Sequence, residues 1–292
     1  MNQIENHKKE IYAGIVTYNP DIQRLSENIN AVISQVDGIV IVDNGSKNIT
    51  EIRSLIATSS NIALKENYKN MGIAKALNQI MTKAQNDAID WVLTLDQDSV
   101  VYDGLITEYK KYWNMEKVGI FTCYLQDRNA KGIGGQLLSN IPKIQDVALC
   151  PTSGCLTNVS AWRSTGGFDE KMFIDYVDFD MCVMMRKNGY YIKKINYLGL
   201  LHEIGNSKDV SFLGRKLVVG GHSSFRKYYI VRNRIYYMKK HKDYIDVLPE
   251  IRHLAGFFVL TIIYEDNKLE KLKAMLKGLI DAPKLCKTIK RT

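Results

Sequence analysis

The chain has 292 residues, of which 46% are hydrophobic and 24% are charged, so it can bury the core of one large folded domain. Its five cysteines form no Cys-x-x-Cys pair, which argues against a zinc ribbon or a disulfide framework and predicts a reduced, cytoplasmic protein. The net charge of +9 makes nucleic acid, anionic lipid and phosphate groups the candidate partners.

Predicted strands and helices alternate over the first hundred residues. Apolar runs of strand length and apolar residues at helical spacing follow one another in this order: strand 11–17, helix 25–36, strand 38–43, a weaker strand 61–65, helix 73–84 and strand 91–96. Such alternation is typical of βαβ units. It predicts an α/β fold with a mostly parallel twisted sheet flanked by helices.

Two carboxylates follow the last of these strands, because Asp96 and Asp98 stand one residue apart after an apolar run. Side chains at i and i+2 of a strand point the same way, and open α/β sheets bind ligands at the carboxyl ends of their strands. Thr17 and Asp43 end neighbouring strands, so the topology predicts that all four converge on one crevice. Two hard oxygen ligands there suit Mg²⁺ or Mn²⁺ carrying a diphosphate, although a polar strand exit is the plainer alternative.

The chain becomes basic and helical from about residue 223. Residues 226–242 hold seven Lys/Arg, four Tyr and no acidic residue. The longest apolar run, Leu254–Tyr264, has eleven residues, too few for the roughly 20 that span a bilayer as a helix. Attachment to an anionic membrane surface and a homodimer contact are both open uses of this region. We therefore divide the chain into a catalytic domain, 1–222, and a basic helical region, 223–292.

Eight short motifs resemble those of family 2 glycosyltransferases in order and spacing, over roughly residues 10–235. They are Thr17-Tyr-Asn19, Val42-Asp-Asn-Gly-Ser46, Asn70-Met-Gly-Ile-Ala74 with Asn78, Asp96-Gln-Asp98, Thr152-Ser-Gly154, Gly166-Gly-Phe-Asp-Glu170, Val177-Asp-Phe-Asp180 and His202 to Ser207. The segments Leu95–Ser99 and Phe173–Asp178 look most like the bacterial rhamnosyltransferase branch. The resemblance implies the Rossmann-like GT-A fold and a nucleotide-diphosphate sugar donor.

The resemblance also implies which residues bind the donor. Asp43 would accept the imide N–H of a pyrimidine base, Asp96 would lie near the ribose, and Arg226 would reach the diphosphate. Capping or turn formation is the structural alternative for Asp43, Asn70 and Gly72. The complete predicted donor set is Thr17, Tyr18, Asn19, Asp43, Asn44, Asn70, Gly72, Asn78, Asp96, Gln97 and Arg226.

Metal and base assignments follow from the same resemblance. Asp98, with Asp96 and His202, would bind the Mg²⁺ or Mn²⁺ that neutralises the diphosphate leaving group. Asp178 would be the general base that deprotonates the acceptor hydroxyl. Val177 stands where the family usually has Glu, so Asp175 is held in reserve as the base. The acceptor side would be formed by Gly154, Phe168, Asp169 and Glu170.

These residues imply a metal-dependent, inverting transfer of a hexose, most specifically L-rhamnose from dTDP-rhamnose. The acceptor would be a glycan or lipid-linked saccharide in bacterial surface polysaccharide synthesis, and the enzyme would be cytoplasmic or peripheral on the inner membrane face. A UDP-galactose or UDP-glucose transferase of the same fold is the alternative. The alternative from another class is a non-catalytic scaffold or a basic protein that binds nucleic acid through residues 226–242. The nucleic-acid interpretation leaves the carboxylates unexplained, since they would repel a phosphate backbone, so nucleic acid is not expected as a partner.

Overall fold

The structure, a computed structural model, describes residues 10–128, 141–202, 207–212 and 215–289. Gly205 of the predicted histidine motif lies outside these ranges. The strands are β1 Ile11–Thr17, β2 Gly38–Asp43, β3 Ile62–Glu66, β4 Trp91–Asp96, β5 Val100–Val101, β6 Val118–Asp127, β7 Ile144–Asp146, β8 Cys155–Asn158, β9 Tyr191–His202, β10 Ser207–Phe212 and β11 Arg215–Gly220. The helices are α1 Ile22–Val32, α2 Ile49–Ile56, α3 Ile73–Asn86, α4 Leu105–Lys110, α5 Val159–Ser164, α6 Val177–Lys187, α7 Ser224–His241, α8 Val247–Tyr264 and α9 Lys268–Cys286.

The first four strands form a parallel sheet in the order β3-β2-β1-β4, as the alternation of strand and helix predicts. Parallel register brings their carboxyl ends to one edge. Thr17 pairs with Asp43, and Val16 pairs with Asp96. The convergence of these strand ends is therefore a consequence of the fold.

The other half of the main sheet is mixed. β8 lies antiparallel between β4 and β6, β9 runs parallel to β6, and β5 and β7 pair antiparallel with β9. β10 and β11 form a separate antiparallel pair. The predicted parallel arrangement thus holds for the half in which helices separate successive strands. Antiparallel neighbours need no crossover helix, so the sequence of this half shows no regular alternation of strand and helix from which the pairing could be predicted.

Apolar side chains fill both faces of the sheet. One core lies under α3, α5 and α6, and the other lies under α1, α2 and α4. The packing of α3 onto β1 is close, since a Cβ atom at Gly14 would lie 2.4 Å from the Cγ2 atom of Ile80. Glycine at this point lets the helix that opens at Ile73 approach the strand that ends at Thr17.

Helix α7 shares the first of these cores. Tyr236 and Tyr237 are buried in it, at 1% and 3% exposure. The helix begins at Ser224, so its start coincides with the predicted domain boundary. The core nevertheless continues across that boundary, which makes α7 a structural part of the body that holds the sheet.

Helix α8 is long and apolar. It has 18 residues with a mean hydropathy of 1.4, and only 6% of it is buried. Within the described ranges it is the one helix whose length and composition would allow it to cross a membrane. Thr261 is its one buried residue. Several of its large apolar side chains are exposed: Leu248, Ile251, Val259, Ile262 and Ile263.

Candidate active site

A cavity of about 860 Å³ opens at the carboxyl ends of β1 and β4. The residues just after β11 and the first turn of α7 close its other side. Ten of the predicted site residues line it: Thr17, Tyr18, Asn44, Asn70, Gly72, Asp96, Gln97, Asp98, His202 and Arg226. Residues from six distant segments of the chain thus meet at one concave surface.

Asp96 lies in this cavity beside Asp98 and His202. Its side chain is 44% exposed toward the cavity, and one of its carboxylate oxygens lies 3.8 Å from His202 Nδ1. The surrounding protein atoms remove part of the water from this half-exposed carboxylate and so raise the pKa of Asp96, and the negative charge of Asp98 raises it further. The positive charge of Arg226, and that of His202 in its protonated form, counter this effect in part. A nearby cation would therefore stabilise the ionised form of these two carboxylates.

Two buried hydroxyl groups fix the positions of Asp96 and His202. Ser153 Oγ accepts the backbone N–H of Asp96 at 3.2 Å and lies 2.9 Å from Ser99 Oγ. Ser99 Oγ in turn lies 3.0 Å from His202 Nδ1. Because Nδ1 faces Ser99, the Nε2 atom of His202 is the ring nitrogen that can face a ligand.

The donor set fits a hard divalent cation. Carboxylate oxygens suit Mg²⁺ and Mn²⁺, and Mg²⁺ typically takes one or two protein carboxylates and completes its shell with phosphate oxygens and water. Across the described part of the chain, no three His, Cys, Asp or Glu side chains are gathered closely enough to hold a metal ion by themselves. Asp96, Asp98 and His202 would accordingly hold a cation together with the diphosphate of a donor.

Asp43 has a structural task in this fold. It is 1% exposed, and its carboxylate accepts hydrogen bonds from Thr17 Oγ1 at 2.9 Å and from the backbone N–H groups of Gly45 and Ser46 at 2.9 and 2.8 Å. The Ser46 hydroxyl is a fourth donor. The carboxylate thus forms the turn after β2, which was the structural alternative, and it does not line the cavity. A nucleotide base could form a hydrogen bond with this carboxylate only by replacing one of these four donors.

Asn44 and Asn70 shape the wall next to this turn. Asn44 Nδ2 donates to the carbonyl of Gly72 at 3.2 Å, and Asn70 Oδ1 accepts the N–H of Gly72 at 2.9 Å. Gly72 has φ of +85°, and a Cβ atom there would lie 2.6 Å from the carbonyl oxygen of Phe173. Glycine is therefore required on two grounds, backbone conformation and space.

The loop from Phe173 to Tyr176 holds three non-glycine residues at positive φ: Phe173 at 66°, Asp175 at 63° and Tyr176 at 67°. Phe173, with ψ of −64°, is the centre of a γ-turn of the rare handedness, closed by the 2.8 Å bond from Ile174 N–H to the Met172 carbonyl. Each such residue costs about 1–3 kcal/mol and persists only where its surroundings enforce it. The loop leads directly into α6, which carries Asp178 in its first turn.

Helix α7 enforces this conformation. Asn233, which is fully buried, donates from Nδ2 to the carbonyls of Met172, Ile174 and Asp175 at 2.7, 2.7 and 3.0 Å. Arg226 forms an ion pair with Asp175, with Nη2 and Oδ1 at 2.6 Å. Buried backbone carbonyls without partners are costly, so these contacts offset part of the strain. We refer to Arg226 and Asn233 as the α7 clamp.

Asp178 lies in a smaller groove of about 230 Å³ that shares Ile73 with the main cavity. Its pKa is raised to about 6, mainly by burial and in smaller part by the charges of Asp175 and Asp96, while backbone N–H bonds act to lower it. Because the charge of Asp96 contributes to this pKa, the two carboxylates interact electrostatically. A carboxylate with a pKa near 6 is suited to accept a proton at neutral pH.

Several predicted residues lie away from both cavities. Asn19 Oδ1 accepts the N–H of Lys47 at 2.8 Å, and Tyr109 donates to the carbonyl of Gly154 at 2.5 Å. Both are structural contacts. The main cavity of the described chain does not include Asn19, Asn78, Gly154, Phe168, Asp169 or Glu170.

The segment predicted to border the acceptor, residues 168–170, packs into the core at Phe168 and forms ion pairs at its other two residues. Phe168 is 4% exposed and accepts an Asn78 amide bond at its carbonyl, at 2.9 Å. Asp169 pairs with Lys240 at 2.8 Å. Glu170 pairs with Lys75 at 3.0 Å. These contacts fasten α3 and α7 to one another through the segment, so its residues are positioned to stabilise the fold.

An aromatic wall of the cavity was not predicted from the sequence. Phe173 stacks on Tyr229, with ring centroids 5.1 Å apart, and lies edge-on to Phe225 at 6.0 Å. Phe173 and Phe225 both line the cavity. The spacing of Phe225 and Tyr229, four residues apart on one face of α7, was a usable signal. The strained turn that presents Phe173 left no such signal.

Comparison with known proteins assigns this arrangement to a family. The family model "Glycosyl transferase family 2" matches residues 12–187, which include β1 to β4, the carboxylate pair and Asp178. The chain belongs to glycosyl transferase family 2. It is similar to the "dTDP-rhamnosyl transferase RfbF" of Shigella flexneri, with 27% identity over 93% of this chain and 94% of that protein. It is also 30% identical to the hyaluronan synthase of Streptococcus pyogenes over 42% of this chain and 31% of the synthase.

Solved structures show the same fold for this family 2 glycosyltransferase. S. aureus TarS 1-349 in complex with UDP-GlcNAc has a TM-score of 0.60 at 13% identity, covering 96% of this chain and 83% of TarS. GalNAc-T7 with UDP, GalNAc and Mn²⁺ has a TM-score of 0.54 at 12% identity, covering 87% of this chain and 55% of that one. The predicted GT-A class of α/β fold is thereby confirmed.

Substitution of Gly72 tests the packing between the cavity wall and the strained loop. We expect Gly72→Ala to lower the melting temperature and donor turnover together, because the added Cβ would displace Phe173. Gly189→Ala is the matched control, since Gly189 has φ of +79° with nothing within 4 Å of its Cβ position. The control should show only the backbone cost, about 1 kcal/mol, with normal turnover. Equal losses in both variants would contradict the argument.

Asp178→Asn tests the pKa shift through stability. The pKa of Asp178 is about 6 in the folded state, above the ordinary 3.8. The folded state therefore binds the proton more tightly than the unfolded chain does. This contribution to stability is complete below about pH 4 and is lost as the pH rises through 6. At about pH 7.5 the variant should therefore be more stable than the wild type, by at most about 3 kcal/mol, and at about pH 4 the difference should vanish. Urea unfolding at both pH values measures this. Asp243→Asn, whose side chain is 86% exposed, should show no such dependence.

Proposed function

We propose that this family 2 glycosyltransferase transfers L-rhamnose from dTDP-rhamnose to a hydroxyl group of a glycan or lipid-linked saccharide. The product would belong to a bacterial cell-surface polysaccharide such as a capsule or cell-wall polymer. The observation that carries the choice of sugar is the similarity to a dTDP-rhamnosyl transferase along nearly the whole of both chains. The UDP complexes of TarS support a nucleotide-sugar donor in general.

The proposed donor site is the main cavity. Thr17, Tyr18, Asn44, Asn70 and Gly72 would surround the nucleotide. The donor diphosphate would then lie toward the carboxylate pair. A bound Mg²⁺ or Mn²⁺ would neutralise the leaving diphosphate as a Lewis acid.

The positions around that cation support specific tasks for the protein. Asp98, Asp96 and His202 would hold the cation, and Gln97, whose Oε1 accepts the N–H of Tyr18 at 2.8 Å, would keep the first strand and the carboxylate loop together. Arg226 borders the same cavity and would add positive charge to the diphosphate side.

Asp178 is the proposed general base, in preference to Asp175. Asp175 is paired with Arg226 at 2.6 Å, so accepting a proton would break an ion pair that holds the strained loop. Asp178 carries no such partner charge among the contacts described for it, and burial raises its pKa to about 6. It would remove the acceptor proton as the hydroxyl oxygen attacks the anomeric carbon. One displacement by one base inverts the anomeric configuration, because no glycosyl-enzyme forms.

The pocket geometry makes a separation between binding and transfer testable. Asp178→Asn should keep nucleotide affinity within about twofold while reducing transfer by about 10²–10⁴-fold, because only the proton acceptor is lost. Asp98→Ala should instead abolish the difference in nucleotide affinity between Mn²⁺ and EDTA. Calorimetric titration of dTDP and a transfer assay give the two readouts. Normal transfer by Asp178→Asn would place the base elsewhere.

A donor screen tests the sugar. The enzyme, with Mg²⁺ or Mn²⁺, should hydrolyse or transfer from dTDP-rhamnose, and turnover should fall when EDTA removes the cation. UDP-galactose, UDP-glucose and UDP-GlcNAc are the comparison donors, measured by release of the nucleoside diphosphate. Turnover of a UDP-sugar alone would discard rhamnose and favour the alternative donor class, whereas binding of no nucleotide sugar would favour a non-catalytic scaffold.

A further inference from the structure

The net positive charge is confined to one end of the chain. Residues 223–292 contain 16 Lys/Arg and 7 Asp/Glu, whereas residues 1–222 contain 24 of each. The whole net charge of +9 therefore belongs to the region that forms α7, α8 and α9. An extended basic region of this kind attracts polyanions or anionic surfaces.

Helix α8 presents an apolar stripe to the outside. Its exposed apolar residues recur at intervals of three and four, which places them on one helix face: Leu248, Ile251, Ala255, Val259 and Ile262. Leu248 is 51% exposed, and Val259 is 40% exposed. Contiguous exposed apolar surface of this kind marks an interaction site rather than ordinary surface.

Helix α9 combines exposed apolar and basic residues. Leu269, Leu276 and Ile280 are 77%, 51% and 68% exposed. Exposed lysines lie among and after them at positions 268, 273, 277, 284 and 287. Leucine and isoleucine interspersed with lysine are typical of helices that lie in the interface of an anionic bilayer.

Both ends of α8 are fastened to the same protein body. At its first turn, Glu250 pairs with Arg234 of α7 at 3.1 Å. Just after its last turn, Glu265 forms a buried ion pair with Lys227 of α7, whose side chain is fully buried. A helix that crossed a bilayer would have its ends on opposite faces. Because these ends share one anchor helix, α8 is arranged to lie along a surface.

We propose that α8 and α9 dock the protein flat on an anionic lipid bilayer, with the apolar stripe in the acyl boundary and the α9 lysines on the headgroups. The cytoplasmic location expected from the sequence would make this the inner leaflet. A second copy of the chain fits less well, because a symmetric contact would oppose two surfaces of the same positive charge. An anionic bilayer offers both the apolar layer and the complementary charge.

The docking surface adjoins the proposed active site. Ser224, which opens α7, donates to Glu270 in the first turn of α9, and the neighbouring Phe225 lines the cavity. An acceptor anchored in the membrane would thus meet the cavity near the bilayer surface. This last step rests on the proposed function, whereas vesicle binding requires neither donor nor acceptor and is tested separately.

Co-sedimentation of the full chain with vesicles tests the proposal. The protein should bind vesicles containing about 30% phosphatidylglycerol and should bind pure phosphatidylcholine about tenfold more weakly. The double variant Ile251→Glu/Val259→Glu should lose about tenfold or more of this binding. Lys273→Glu/Lys287→Glu should weaken binding to the anionic vesicles alone. Melting temperature and dTDP binding confirm that each variant is folded.

Matched controls make the result specific. Tyr191 and Met115 are exposed apolar residues elsewhere, at 50% and 39%, close to the 50% and 40% of Ile251 and Val259. Tyr191→Glu/Met115→Glu should leave vesicle binding unchanged. The proposal is overturned if the wild type does not bind anionic vesicles, or if the control variant Tyr191→Glu/Met115→Glu loses as much vesicle binding as the stripe variant Ile251→Glu/Val259→Glu. It is also overturned if the stripe variant instead dissociates a dimer, measured by light scattering without lipid.

Discussion

The active site depends on a strained loop that a distant helix holds in place. Phe173, Asp175 and Tyr176 adopt left-handed backbone conformations, which non-glycine residues avoid unless their surroundings compensate. The compensation is the α7 clamp, in which the Asn233 amide donates to the carbonyls of Met172, Ile174 and Asp175 and Arg226 pairs with Asp175. The same loop contacts the cavity wall through the 2.6 Å bond from Ile73 N–H to the Phe173 carbonyl. The cavity wall, the segment that carries the proposed base, and helix α7 are therefore one mechanical unit.

Electrostatics give this unit a direction. Asp96 and Asp98 bring negative charge to the main cavity, Asp178 brings it to the adjoining groove, and Arg226 of α7 places a positive charge near Asp96. The raised pKa values of Asp96 and Asp178 record the cost of holding these carboxylates close together away from water. A divalent cation with its nucleotide would relieve the first, and proton uptake from an acceptor would relieve the second. In the proposed mechanism, the first of these changes belongs to donor binding and the second to transfer.

Sequence reasoning succeeded where chemistry follows strand order. The alternation of apolar runs predicted β1 to β4, and their register brings Thr17 and Asp96 to one edge. It left open the cases in which a side chain could serve either the site or the fold. In the structure Asp43 forms a turn and Phe168 belongs to the core, although both match family motifs, and the site roles expected of them stay predictions. A motif fixes residue type and spacing, but it does not say which way a side chain faces, since that depends on packing contributed by distant segments. The clamp residue Asn233 gave no signal because its partners are backbone carbonyls, which every sequence has.

The most direct test of this account is a crystal structure with dTDP and Mn²⁺, located by its anomalous scattering. The account predicts one manganese peak between the nucleotide phosphates and the carboxylate of Asp98, with Asp178 in the adjoining groove and the loop from Phe173 to Tyr176 still held by Asn233. A bound nucleotide with manganese at some other place, or a nucleotide site remote from Asp98 and Asp178, would contradict it.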